Sequence, residues 1–391
     1  MDDVLYLAAI CAVVPGLGRA KIPKLIGKMG SAENVFKASA AELEQQGILK
    51  DSQIEKFIDN RKMDLPKRIA DFCCKNKVKL LSIFDEDYPY SLKNISDPPL
   101  VLYVKGTLPT NFCGAAVVGS RQATPYGLKA AGVFASMLAR DRITVISGGA
   151  RGVDTAAHEA CLRAGGNTIA VLGCGLDKAY PPENCDLFSR ICQHGAVISE
   201  YAPGTKPLAT NFPARNRIIV GLSAAVIVTE AARKSGAIIT ANIAADEGRD
   251  VYCVPGNIFD GTSVGCHDLI RNGAKLVDSP EDVLEDVGIW KNMYQPAIVQ
   301  QNLFKNNADI VDCMSKEEKN ETLIKQQKDR LPEGVSPLGR KLWELLSQGS
   351  LSLEELTEQS GTDFTAVSIE LLELQVTGLV KVNQAQRYSR S

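Results

Sequence analysis

Between residues 78 and 256 the chain is built of short, unbroken apolar runs: VKLLSIF, LVLYV, AAVVG, ITVIS, TIAVLG, AVISE, AAVIVTE and DVYCVPG. Runs of that length, rich in β-branched residues and lacking polar alternation, suit strands covered on both faces, as in a parallel sheet. Helical stretches such as YGLKAAGVFASMLAR and VDTAAHEACLRAGG lie between several of them. Strand, helix, strand at this spacing predicts an α/β fold with an extended, Rossmann-like doubly wound sheet. Right-handed crossovers then gather the strand C-termini on one edge, where such sheets bind ligands.

The pattern changes on both flanks. Residues 1–75 read as a helical N-terminal module. An apolar helix, a Pro15-Gly16-Leu17-Gly18 turn and an amphipathic helix carrying Arg19, Lys21, Lys24 and Lys28 suggest a helix-hairpin-helix, SAM-like unit. Such a turn can aim backbone N–H groups at a phosphate; a plain αα-hairpin reads the same way. Residues 76–287 form the sheet domain. Residues 288–334 are rich in Asn, Gln and Lys and read as a polar linker. Residues 335–391 return to a compact pattern of three helices and a short hairpin, which fits a winged helix.

The 391 residues carry a formal net charge of −2, so any anionic ligand must meet a local basic patch. Eleven cysteines are scattered without a C-x-x-C, and only His158, His194 and His267 could join them. No metal site or disulfide framework is expected, and free thiols suit a reducing cytoplasm. The N-terminus is acidic before a short apolar run, which suits neither a signal peptide nor a spanning helix. A cytoplasmic protein without membrane contact is the expectation.

Two strand ends stand out. VVGSRQATPYG closes one apolar run with Gly119, Ser120 and Arg121; ITVISGGARGVD closes the next with Ser147, Gly148, Gly149 and Arg151. Glycine lets the backbone approach a ligand, free N–H groups and a helix N-terminus follow, and arginine adds a fork suited to phosphate. Together the loops would form one anion-binding floor. Neither is a G-x-G-x-x-G fingerprint, and G-x-x-x-x-G-K-[ST] is absent, so no nucleotide cofactor is expected. A third stretch, GTKPLATNFPARNRIIVGLS, holds Lys206, Arg215 and Arg217 around Phe212 without an acidic residue. Cations beside an aromatic ring suit single-stranded nucleic acid, whose bases stack while its phosphates need positive partners.

VVGSRQATPYG, ISGGARGVDTAAHEA, GCGLDKAYPPEN, NFPARNRIIVGLS and EAARKSGAIITANIAADEGRDVYCVPG, in this order, resemble the DNA-processing protein A family (DprA, also called Smf). The resemblance spans about residues 80–280 and extends in weaker form to both flanking modules. It implies a non-enzymatic homodimer of natural transformation that binds and protects incoming single-stranded DNA and loads the RecA recombinase onto it. The family's pocket falls on Gly119, Ser120, Arg121, Phe212 and Arg215, with Asn216 and Arg217 beside it. Some members have a lysine three residues before the phenylalanine; that position is Ala209 here, and Lys206 is the nearest lysine. The resemblance also directs attention to Leu269, Ile270, Leu276 and Val277, at the end of the sheet, as a dimer edge.

Two other readings compete. A nucleotide phosphoribohydrolase-like enzyme can be built on a related sheet, with Asp154 and Glu230 as conceivable acid/base groups. The stretch TEAARKSGAIITA, however, lacks that family's P-G-G-x-G-T loop. A transcription regulator would rest on the winged helix alone. Its recognition segment, Thr362 to Val380, has no Lys or Arg and carries Asp363, Glu370 and Glu373. That charge would repel phosphates, so a protein-interaction role is expected for this module.

Overall fold

The computed structural model describes residues 3–13, 20–109, 112–286, 336–346, 351–376, 380–382 and 387–390. It divides into two compact units, residues 1–304 and 305–391. The Pro15–Gly18 turn with Arg19 and the linker 288–334 lie outside the described residues.

The first unit opens with six helices: α1 (Asp3–Val13), α2 (Lys21–Met29), α3 (Ala32–Lys37), α4 (Ala40–Gln45), α5 (Asp51–Asn60) and α6 (Leu65–Asn76). Polar side chains fix the starts of α3 and α4. The Asp3 carboxylate accepts from the Ala32 and Glu33 N–H groups at 3.0 and 2.9 Å, and Ser39 and Glu42 form a reciprocal cap on α4. Leu7, Ile10, Leu25, Phe36 and Phe57 form the core of this module, which runs on into Val78, Val101 and Tyr103 of the sheet.

Nine strands form one sheet in the order β1-β2-β6-β5-β4-β3-β7-β8-β9. They are β1 (Val78–Ser82), β2 (Val101–Gly106), β3 (Gly114–Val118), β4 (Thr144–Ser147), β5 (Thr168–Val171), β6 (Gly195–Ser199), β7 (Ala225–Val228), β8 (Asp250–Cys253) and β9 (Lys275–Leu276). The eight apolar runs each overlap one of the first eight. From β6 to β9 all pairs are parallel, but β2 runs antiparallel to both β1 and β6. Only one helical turn, α7 (Tyr90–Lys93), lies between β1 and β2. The connection holds no full crossover helix, and the sheet is mixed at this end and parallel through the doubly wound part.

Crossover helices cover both faces. Helices α8 (Pro125–Arg140) and α9 (Val153–Arg163) bury Phe134, Leu138 and Ala157 against one; α11 (Asn211–Gly221) and α12 (Gly236–Asp246) bury Ile218, Ile219 and Ala241 against the other. Two shorter crossovers, α10 (Cys185–Ile191) and α13 (Val264–Arg271), complete the set. Strand order reverses at β3, which pairs with β4 on one side and β7 on the other.

The second unit holds α14 (Pro337–Leu345), α15 (Leu353–Ser360) and α16 (Phe364–Val376), with a small sheet β10-β12-β11 from Leu351–Ser352, Arg387–Arg390 and Val380–Val382. Leu342, Trp343, Leu356, Val367 and Leu371 fill its core. Three helices with this sheet make the expected winged helix. No described helix is long and apolar enough to cross a membrane.

Candidate nucleic-acid interface

Loops following β3, β4 and β5 meet the first turn of α11 at the C-terminal edge of the sheet. They enclose a cleft lined by Arg121, Gly148, Ala150, Arg151, Gly173, Tyr180, Pro181, Phe212 and Arg215. Phe212 is half-buried. The Arg121 guanidinium lies 5.0 Å from its ring centroid, and Tyr180 stands 5.5 Å away at 35° to its plane. Cation and aromatic faces therefore share one small space, as the sequence suggested for Arg121 and Phe212.

Arg215 lies beneath this surface, 4% exposed. Its Nη1 donates to the Gly148 carbonyl at 2.8 Å and to the Val171 carbonyl; its Nε reaches Asn216 Oδ1 at 3.3 Å. Burial pushes its pKa down to about 10, opposed by the Asp154 carboxylate. The guanidinium thus stays charged at neutral pH. Burial in turn raises the Asp154 pKa, against the pull of Arg215 and the Ala150 N–H. A side chain at Gly148 would come within 2.5 Å of Arg215 Nη2 and 2.7 Å of Asp154 Oδ2, so glycine is required where this pair meets.

The glycine loops differ in their chemistry from the sequence expectation. Ser120 N–H donates to the Glu230 carbonyl at 2.8 Å, Val153 N–H to the Ser120 carbonyl at 3.1 Å, and Ser147 Oγ to the Val117 carbonyl at 2.7 Å. A Cβ on Gly119 would meet Val153 Cγ2 at 2.6 Å. The Ser120 N–H and the Ser147 hydroxyl thus serve the protein's own close packing rather than a ligand.

Glu230 fills the crevice where strand order reverses, the usual ligand position in such sheets. It is 1% exposed, and its carboxylate accepts from Thr124 N–H at 3.0 Å and from the Thr124 hydroxyl at the start of α8. The conceivable acid/base residue is a buried cap. The cleft is displaced toward β4 and β5 instead.

The chain matches the family described as DNA recombination-mediator protein A over residues 79–288 and the DprA winged helix domain over residues 326–383. It is 34% identical to Protein Smf of Synechocystis sp. over 96% of both chains. The chain belongs to the DNA-processing protein A family. DNA processing protein DprA of Streptococcus pneumoniae is 49% identical over 54% of this chain and 74% of that protein. The X-ray structure of DNA processing protein A from Streptococcus pneumoniae superposes with a TM-score of 0.60 at 38% identity. It covers 73% of this chain and 98% of that one.

Within this family fold, the remaining expected residues separate. Arg217 is 9% exposed and engages Glu200 through Nη1 and Nη2 at 2.9 and 2.6 Å, and Asp97 through Nε at 3.0 Å. Its charge is already matched, which corrects its expected part as a phosphate ligand. Arg151 lines the cleft but pairs with Glu183. Lys206 is exposed on the preceding loop and is not among the lining residues. Leu269 and Val277 are 8% and 0% exposed and belong to the core on opposite faces, so they cannot form a dimer surface as placed here. Ile270 is half-buried, while Leu276 on the edge strand is 48% exposed. Sequence reasoning missed Tyr180 and Pro181; an aromatic in GCGLDKAYPPEN, following a strand end, was the available signal.

Proposed function

We propose that this chain is a non-enzymatic single-stranded DNA-binding recombination mediator of natural transformation, cytoplasmic and homodimeric. On this reading it protects incoming single strands and loads the RecA recombinase on them. The carrying observation is the Arg121 guanidinium over the Phe212 ring in a cleft backed by buried Arg215. A base stacks on the aromatic face while Arg121 turns to the adjoining phosphate; stacking of this kind is sequence-tolerant. Arg215 supplies fixed positive potential and rigidity from below. The exposed Leu276 and half-buried Ile270 at the β9 edge support a second copy there.

The hydrolase reading loses support because Glu230 is consumed by Thr124 and Asp154 is buried beside Arg215. The deciding experiment is competition of single- and double-stranded DNA for a labelled oligonucleotide at several salt concentrations. Single strands should compete better, and affinity should fall steeply with salt. Equal competition by duplex would sink the proposal. Nucleoside monophosphates incubated with the protein should yield no free base.

A further inference from the structure

The loop following β8 carries two of the chain's largest solvent-facing apolar side chains. Ile258 is 70% exposed and Phe259 is 88% exposed, on the tip of Pro255 to Ser263. Its base is tied down. Tyr126 Oη, in the first turn of α8, donates to the Pro255 carbonyl at 2.6 Å, and His267 Nε2 lies 3.1 Å from the Gly256 carbonyl. The Phe259 N–H donates to Asn257 Oδ1 at 2.9 Å, which shapes the tip locally. The protein therefore holds an aromatic ring out in water on an anchored loop, where the hydrophobic effect alone disfavours it.

The position of this loop suggests its use. It leaves the same sheet edge as the Arg121 loop, two strands away across β7. Two inter-strand spacings amount to about 10 Å, the length of about three stacked nucleotides. Between them, after β7, stands the loop with Arg233 and Lys234. Arg233 is paired with Asp268, whereas Lys234 is exposed and has no ion pair among those of the described residues. Tyr126, 51% exposed, occupies the same stretch. Asp260, also exposed, follows Phe259 in the chain. Along the other arm of the edge, the exposed apolar residue is Leu208, which has no π-face.

We propose that Phe259, flanked by Ile258, is a second base-stacking station, so that a single strand leaving the Phe212 cleft runs across Arg121, Tyr126 and Lys234 onto the β8 loop. This rests on the reading of the cleft as the single-strand site. The two stations would set a minimum length for full-affinity binding, because only a strand reaching both gains both stacks.

The test uses the full chain, a thymidine oligonucleotide of about 20 residues, and Phe259→Ala, Phe259→Trp and Arg121→Ala. Phe259→Ala should weaken binding by at least about fivefold, with unchanged thermal unfolding and unchanged mass by light scattering. Phe259→Trp should restore affinity, and its added tryptophan emission should be quenched by the oligonucleotide. If Phe259→Ala binds as wild type while Arg121→Ala binds weakly, the second station is refuted and the cleft stands. If neither variant loses affinity, the cleft reading falls with it. If Phe259→Ala changes the assembly mass and not DNA binding, the loop is a protein contact and the proposal is wrong.

Discussion

Arg121 and Arg215 have the same side chain and opposite expected responses to removal. Arg121 is exposed, so Arg121→Ala should leave unfolding almost unchanged and weaken single-strand binding about tenfold, the scale of a charge-assisted phosphate contact. Filter binding alongside thermal melting separates the two effects. Arg215→Ala removes the donor from the Gly148 and Val171 carbonyls and leaves Asp154 buried without its cation. A loss of about 1–3 kcal/mol of stability is expected from buried acceptors left without their donor. Its sign with pH follows from Asp154. A carboxylate whose folded pKa is raised costs stability as pH rises through the interval between its unfolded and folded values. In Arg215→Ala that interval widens upward. Urea titrations should therefore show the variant's deficit against wild type growing from acid toward neutral pH. A deficit that shrinks would refute the placement.

His158 on α9 shows how an element is locked to the sheet. Thr168 Oγ1 donates to the Val145 carbonyl at 2.8 Å and lies 2.7 Å from His158 Nδ1, so Nδ1 carries the proton. Nε2 is buried without a partner. Burial, followed by Arg215, pushes the His158 pKa down to about 3. With an unfolded value near 6.5, its contribution to stability is present above about pH 6.5 and is lost as pH falls toward 3, at up to about 1.4 kcal/mol per pH unit. His158→Gln should flatten that part of the stability curve, as read by denaturant titration. Strands of this kind were legible because β-branched runs have few other uses. The uses of the loop donors were not, since a glycine before a ligand and a glycine against Val153 look alike in sequence. Arg217 was misread for a related reason: Asp97 and Glu200 are distant in sequence, and only folding brings them to it.

At the scale of the molecule, the sheet edge and the second unit make separate claims. Leu276→Asp on the exposed β9 edge should convert a dimer to a monomer at micromolar concentration, as measured by light scattering, without unfolding the domain. The same change at Val277 should unfold it instead, because that side chain is fully buried. Ending the chain at Asp286 should leave single-strand affinity within about threefold, under about 0.7 kcal/mol. The winged helix offers little for phosphates: Asp363 caps α16 through the Ala366 N–H, and Glu370 accepts from Ser336. A hundredfold loss with the first unit still folded would assign DNA contact to the second. This module's fold was legible from spacing alone, whereas its partner was not, because a winged helix serves many partners.

Phe212 is not vacant before a ligand arrives, since Arg121 already rests on it. A planar base must evict a planar cation, forfeiting about 0.5–1 kcal/mol of attraction. An uncharged nucleoside offers the displaced guanidinium nothing in return, whereas a nucleotide brings the anion that receives it. On the proposed reading of the cleft, the contact would work as a coincidence detector, answering to ring and phosphate together and ignoring either alone. Thymidine should fail to compete with a labelled oligonucleotide at concentrations where thymidine 5′-monophosphate competes measurably. Replacing Arg121 with methionine should narrow that gap by weakening the nucleotide and sparing the nucleoside.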